Sequence, residues 1–262
     1  MAQRPLPLRI GIAGALGRMG RAVALVVRER ADMTLAAAFD RPQTQGEALN
    51  GGRLGEVGDA AGCDVVIDFS TGAASAALAA LAAERGAPAL VIGSTGWTEA
   101  QEATLRAAAR GVAIVRSGNF SLGVNVLAGL VEQASRRLAA RDWDIELFEA
   151  HHRGKLDAPS GTALMLGEAA ARGRGRALAN DEARARSGGP RAQGSIGFSV
   201  MRGGGVVGEH QVVFAAEDEI LTLAHSARQR SLFARGAVEA AAWIAGKAPG
   251  LYDMQDVLGF RG

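Results

Sequence analysis

The sequence predicts an α/β protein of two domains, a doubly wound parallel sheet followed by an α+β domain built on a mixed sheet. Three observations predict it. Over the first hundred and twenty or so residues, short apolar runs alternate with helical segments, the pattern of parallel strands joined by helical crossovers. The first apolar run ends in a glycine cluster, Gly14 to Gly20. Past residue 121 the alternation lapses, and strands follow one another with no helix between. A length of 262 residues fits about two domains at roughly 150 residues each.

Leu8–Ala13 is the first strand, and Arg18 to Glu29 the first helix, because Ala22, Val23, Val26 and Val27 share one face. Thr34–Phe39 is a second strand with Asp40 at its end, and the β-branched run Val65–Phe69 a third. Ala73–Arg85 is an alanine-rich helix stopped by Gly86 and Pro88. Leu90–Ile92 precedes Gly93-Ser94-Thr95-Gly96, and Thr98 with Gln101 forms a capping box for a helix to about Arg110. Val112–Val115 runs into Ser117-Gly118-Asn119-Phe120. Val124–Ala140 is a long helix, Trp143–Ala150 a strand, and another helix starts near Thr162. Residues 171–194, rich in Gly and Arg, read as an exposed loop with a weak helix inside. Ser195–Met201, Val206–Ala215 and Ile220–His225 read as three antiparallel strands, and Phe233–Ala245 as a closing helix. The expected layout is a nucleotide-binding domain over 1–121, a mixed-sheet domain over 122–231, and a return to the first over 232–262.

Composition excludes several classes. With 29 Lys and Arg against 27 Asp and Glu, the net charge of +2 gives no basic face for nucleic acid. No apolar stretch reaches the ~18 residues of a membrane span. The start, MAQRPLPLRIGIAG, lacks the layout of a signal peptide, and Cys63, the one cysteine, has no internal partner. A reducing, cytoplasmic setting is expected, with Cys63 structural. Lysine occurs only at Lys155 and Lys247 in a chain that otherwise uses Arg, so each marks a place where an ammonium rather than a guanidinium is wanted.

In the cluster Gly14-x-x-Gly17-x-x-Gly20, the first glycine permits a tight strand-to-helix turn. The second lets backbone approach a pyrophosphate, and the third lets helix pack on strand. Phosphates would sit on the helix N-terminus. A plain tight turn is the alternative, but Asp40 stands about twenty residues past Gly20, at the end of the second strand, placed to bind an adenosine ribose. Asp40 repels a 2′-phosphate while Arg41 attracts one, so NADH with tolerance of NADPH is expected; Arg41 as a mere solvated charge stays open. Gly93–Gly96 and Ser117–Phe120 lie at strand C-termini, the edge where such sheets hold ligands, or are ordinary turns.

Residues 149–163, EAHHRGKLDAPSGTA, are the densest polar segment, with two of the four histidines and one of the two lysines. His151 and His152 point in different directions and no cysteine or acidic cluster completes a shell, so no metal is expected. Histidine suits general acid work near neutral pH. Lys155 adds a positive charge or a proton, and Ser160-Gly161-Thr162 opens a helix whose N–H groups suit an anion. A small acidic substrate is the expectation.

That segment, with Gly14–Gly20, Val65–Phe69, Val91–Gly96, Asn119–Asn125, Gly203–His210 and Gly250–Leu258, resembles the 4-hydroxy-tetrahydrodipicolinate (dihydrodipicolinate) reductase family of the bacterial and plant diaminopimelate route to lysine. The resemblance spans nearly the whole chain. It implies a Rossmann-like domain, a second domain whose open sheet builds a homotetramer, NADH or NADPH as hydride donor, and a small cyclic dicarboxylate as substrate. By position it implies His151 as proton donor and acceptor, His152 as a substrate ligand, Lys155 as a second proton donor, and Gly161 and Thr162 on a substrate carboxylate. It places Gly14, Ala15, Leu16, Gly17, Arg18, Met19, Asp40, Arg41, Gly93, Ser94, Thr95, Ser117, Gly118, Asn119 and Phe120 at the cofactor. Two rivals remain at this point: another oxidoreductase on the same plan, and a regulator that binds NADH without turnover.

Overall fold

The computed structural model describes residues 7–49, 52–178, 182–183 and 189–261. Two compact units result, Met1–Leu122 with Ser231–Gly262, and Gly123–Arg230.

In the first unit a six-stranded sheet has the order β13-β7-β6-β5-β1-β2, from β1 (Leu8–Ala13), β2 (Met33–Phe39), β5 (Val65–Asp68), β6 (Ala89–Ile92), β7 (Ala113–Arg116) and β13 (Gly250–Tyr252). Every pairing in it is parallel. A small antiparallel hairpin joins β3 (Ala48–Leu49) and β4 (Gly52–Arg53). Strands buried on both faces need apolar residues at successive positions, and Val65, Val66 and Ile67 supply them. Val65 and Ile67 pack with α1 (Arg18–Glu29) and with the helix Ser231–Ile244 on one side. Val66 packs against α2 (Gly72–Arg85) and α3 (Glu99–Ala108) on the other. The alanine-rich helix is capped by the Thr71 hydroxyl and ended by left-handed Gly86, and the Thr98–Gln101 box forms as expected. Strand order reverses between β1 and β5, and the crevice outside the carboxyl ends there is where open α/β sheets take ligands.

In the second unit α4 (Leu122–Arg137, whose first residue belongs to the first unit) and α5 (Gly161–Gly173) cover one face of a mixed sheet. Its order is β12-β11-β8-β10-β9, from β8 (Asp144–His151), β9 (Glu182–Ala183), β10 (Ile196–Arg202), β11 (Gly208–Ala215) and β12 (Ile220–Ala227). Ile145, Leu147, Ile196, Val212 and Phe214 form the core under the helices. The opposite face leaves Phe148 and Met201 exposed around a shallow cavity of about 300 Å³.

The three strands expected to be antiparallel do alternate in direction, but they are not three successive neighbours in the sheet. β11 does run antiparallel to β12 and to β8, but β10 is parallel to β8. The reason is connectivity: β8, α5 and β10 form a strand–helix–strand crossover, and the chain then passes β8 to start β11 on its other side. β10 and β11 are therefore separated by β8 and no hairpin joins them, whereas β11 and β12 are paired neighbours.

The 171–194 stretch is also more anchored than its composition suggested. α5 runs into it, Glu182–Ala183 pairs with β10, and Arg174 donates to the carbonyls of Trp143 and Gly194. Arg191 pairs with Asp144 and Glu146 while nearly buried. Residues 179–181 and 184–188 of the stretch expected to hold a weak helix lie outside the described residues. The last helices are α6 (Ser231–Ile244) and α7 (Met254–Val257). Cys63 is buried, and burial pushes its thiol up to about 11, which suits the structural role expected of it.

Candidate functional site

At the carboxyl edge of the first unit's sheet, Gly14 turns with φ +70°, and a Cβ there would lie 2.9 Å from the Phe69 carbonyl. Gly20 is tighter, since its Cβ would fall 2.2 Å from the Gly14 carbonyl oxygen. The third glycine thus lets α1 close over the turn itself, not only over the strand. Gly17 is the N-cap of α1 and brings no side-chain cap, which leaves first-turn N–H groups at Arg18 and Met19 for an anion. Asp40 is tied to the turn, with Oδ2 accepting from the Leu16 N–H at 2.9 Å and Oδ1 from the Arg41 N–H at 2.9 Å. The Arg41 guanidinium lies 3.6 Å from Asp40 Oδ1 with its side chain 71% exposed. A cradle that only glycine permits, an uncapped helix start and a held acid together fit a dinucleotide.

Gly93 packs on the Phe69 ring, where a Cβ would come within 2.2 Å. Phe69 meets Phe120 edge-on at 5.7 Å. Phe120 is 2% exposed, so its ring props the edge from inside the core. The Ser94 hydroxyl is 2.7 Å from that of Ser75, and the Ser117 hydroxyl donates to the Asn119 carbonyl at 2.7 Å. Ser94, Thr95, Ser117 and Gly118 line a cleft of about 510 Å³ with Arg116 and Asp253. The last two escaped the sequence reading. Arg116 is fixed by Glu102 at 2.6 Å and lies 4.6 Å above the Trp97 ring.

Asp68, also missed, ends β5 fully buried. Its Oδ1 accepts from the Ser70 N–H at 2.8 Å, while Oδ2 has no protein partner. Burial raises its pKa against the help of Ser70 and Ser75. A carboxyl raised in the folded state contributes stability that is full below its unfolded pKa of about 4 and is lost as pH rises through the folded value. Asp68→Asn is therefore expected to flatten the fall in Tm above pH 4, measured by thermal melts from pH 4 to 8; an unchanged slope would contradict it.

In the second unit β8 delivers Glu149 and His151 to one face two residues apart. His151 Nδ1 bonds Glu149 Oε2. Both guanidinium ends of Arg202, from β10, reach Glu149, at 3.0 Å and 2.8 Å. The Ser160 N–H donates to Glu149 Oε1 at 3.0 Å. The Ser160 hydroxyl caps α5 through the Ala163 N–H at 3.1 Å and lies 3.2 Å from His210 Nε2. Gly161 and Thr162 therefore stand in the first turn of a capped helix, with open space at the Gly161 Cα. Lys155 Nζ is 2.8 Å from Asp157, and half-buried His152 precedes it in the same loop. His151 and His210 rings meet edge-on at 5.1 Å.

Burial pulls the His151 pKa down, aided by Lys155 and Arg202 and opposed by Glu149. Burial also holds His210 neutral, down to about 4, with the His151 charge adding to it. For Glu149 burial works against the charged form, but Arg202, His151 and Ser160 outweigh it and hold the carboxyl below its ordinary range. Glu149 lay in the 149–163 segment and His210 at the end of Gly203–His210, both without a role, and Arg202 was unseen. Among the described residues, Glu149, His151 and His210 have metal-ligand spacing, which the sequence reading did not anticipate. The Arg202 fork already occupies both Glu149 oxygens, and a cation would sit beside a guanidinium.

The models for dihydrodipicolinate reductase match this chain over residues 8–120 for the N-terminal part and 123–258 for the C-terminal part. A 4-hydroxy-tetrahydrodipicolinate reductase of Caulobacter vibrioides is 60% identical over 257 residues, covering 97% of this chain and 98% of its own. One from Rhizobium rhizogenes is 49% identical over 96% of this chain and 97% of its own. Among solved structures, a dipicolinate-bound dihydrodipicolinate reductase from Paenisporosarcina sp. TG-14 has a TM-score of 0.78 at 22% identity, over 96% of this chain and 99% of that one. With both halves matched in order, and identity this high along almost the full length, the chain belongs to the dihydrodipicolinate reductase family.

Proposed function

We propose that this chain reduces 4-hydroxy-tetrahydrodipicolinate to tetrahydrodipicolinate with NADH or NADPH. The observation that carries the reading is the strand–loop–helix of the second unit, where a buried Glu149–His151 pair, Lys155 and the capped start of α5 converge. When bound, the nicotinamide supplies the hydride. Water leaves the hydroxylated ring, hydride adds to the carbon–carbon double bond conjugated with the imine, and a proton completes the saturated bond. His151 gives that proton, with Lys155 as the second donor. Burial makes the His151 imidazolium readier to release it. The N–H groups of Gly161 and Thr162 hold one substrate carboxylate, while His152 and Lys155 hold the other. The Lys155 ammonium stabilises electron density on the ring nitrogen as the ring is reduced.

The glycine turn from Gly14 to Met19 takes the pyrophosphate, and Asp40 takes the adenosine ribose. Ser94, Thr95, Ser117, Gly118 and Asn119 serve the nicotinamide end, and Gly93 beside them gives the Phe69 ring its room. Asp40 favours NADH, and exposed Arg41 beside it admits NADPH. A homotetramer is supported by the uncovered sheet face around Phe148 and Met201. No described helix is long and apolar enough to cross a membrane, and a cytoplasmic setting agrees with the lone buried thiol. Competition tests the substrate assignment. Pyridine-2,6-dicarboxylate, a planar analogue of the ring with both carboxylates, is expected to bind the NADH-loaded protein, and Thr162→Pro to weaken it by removing one N–H. Equal binding by benzoate, which has one carboxylate, would contradict it.

A further inference from the structure

We propose that Glu149, clamped by Arg202, is a positioning residue that fixes His151 with its proton on Nδ1 and leaves Nε2 as the atom that exchanges protons. The inference deepens the reading of His151 as proton donor and rests on it. It follows from counting donors. Glu149 Oε1 faces Arg202 Nη2 and the Ser160 N–H, and Oε2 faces Arg202 Nη1 and His151 Nδ1. Guanidinium and backbone N–H groups only donate, so three of the four partners require an accepting carboxylate. A carboxylate cannot donate to a ring nitrogen, so Nδ1 carries the hydrogen in that fourth bond. Arg202 is itself held, donating to the carbonyls of Met201 at 2.8 Å and Asp157 at 2.6 Å. The fork is thus preset by β10 and the active-site loop rather than by the histidine.

The far side of the ring is kept open from a third strand. A Cβ on Gly208, at the start of β11, would lie 3.2 Å from His151 Nε2, and glycine there leaves that nitrogen room. The charged and titratable groups facing the ring are Glu149 from β8, Arg202 from β10, His210 from β11 and Lys155 from the loop. Proton traffic then has one route. Nδ1–H stays on the ring throughout, Nε2 takes a proton from solvent and passes it to the substrate, and Glu149 stabilises the imidazolium between these steps. Arg202 keeps Glu149 from accepting the Nδ1 proton. A carboxylate that orients a histidine in this way does the same service in acyl-transfer triads.

The test is the tautomer of His151, read by two-bond proton–nitrogen correlation on 15N-histidine-labelled protein at pH 8. Nδ1–H with bare Nε2 is expected in the wild type. In Glu149→Gln the side-chain carbonyl turns to Arg202 and the amide NH2 faces Nδ1, so the proton is expected on Nε2. In turnover that variant should lose about 10²-fold or more in kcat with KM for NADH unchanged. The descending limb of its pH profile should move to lower pH, because the group that raised the His151 pKa is gone. Glu149→Asp, which keeps the charge, should recover part of the loss. A role confined to tying β8 to β10 would lower Tm and leave tautomer and pH profile alone. Wild-type Nε2–H, one tautomer in both proteins, or unchanged kcat in Glu149→Gln each overturns the proposal. Should Glu149→Gln fail to fold, the wild-type tautomer decides alone, with Gly208→Ala expected to depress kcat while keeping Nδ1–H. A wild type with the expected tautomer but no reductase activity would sink the assigned function and not the positioning.

Discussion

Replacing His151 by Ala lowers turnover by about 10²–10⁴-fold, the usual loss when a positioned acid is removed, and leaves NADH affinity within about twofold. Lys155→Ala behaves likewise. The asymmetry follows from where the groups stand: His151 and Lys155 belong to the second unit, while the glycine turn and Asp40 that would hold the nucleotide belong to the first. Steady-state kcat and NADH fluorescence titration separate the two quantities. Unchanged turnover in either variant removes that residue from the proton path. Buried His151 leaves Glu149 and Arg202 without their neighbour when truncated, so some loss of Tm accompanies the loss of rate. A melt at the assay temperature shows whether the variant is folded when its rate is read.

Gly20→Ala is the second large effect. A Cβ 2.2 Å from the Gly14 carbonyl meets backbone that cannot rotate away, so either α1 lifts from the turn or the turn opens. Both displace the N–H groups of Arg18 and Met19 that would meet a pyrophosphate. A loss of NADH affinity of about 100-fold, equivalent to about 2.7 kcal/mol, is expected, with a lower Tm. Gly58→Ala is the control, because nothing lies within 4 Å of its Cβ. Nucleotide binding by Gly20→Ala at wild-type strength would show that the turn does not seat the cofactor.

The elements that were legible in the sequence were those whose signals are local. Val65-Val66-Ile67 announces a strand buried on both faces, Thr98 with Gln101 a capped helix, and the Gly14–Gly20 spacing a turn that only glycine can make. Ser160 followed by Gly161 and Thr162 reads as a helix start because a cap acts within three residues. What was not legible depends on pairing across distance. β10 runs opposite to β11 as expected but does not pair with it, because its neighbour is β8, across α5, and nothing in residues 196–202 encodes that choice. Arg202 meets Glu149 across 53 positions, and His210 meets Ser160 across 50. Glu149 lay in plain view, but a lone acid beside two histidines has no reading until the fold brings a guanidinium to it. Phe120 carries a signal that position alone did not give: its ring is buried and props Phe69 edge-on, which leaves its backbone as the part that can face a cofactor.

The central claim is reduction of the cyclic dicarboxylate at the expense of a nicotinamide, and one coupled assay reaches it directly. NADH and NADPH oxidation is followed at the nicotinamide absorbance while aspartate semialdehyde, pyruvate and the preceding synthase generate the substrate in place. Oxidation that requires the coupled product and is blocked by pyridine-2,6-dicarboxylate is the expected result, with NADH faster and NADPH accepted, as Asp40 beside Arg41 implies. No oxidation of either nucleotide by protein that still binds them would contradict it.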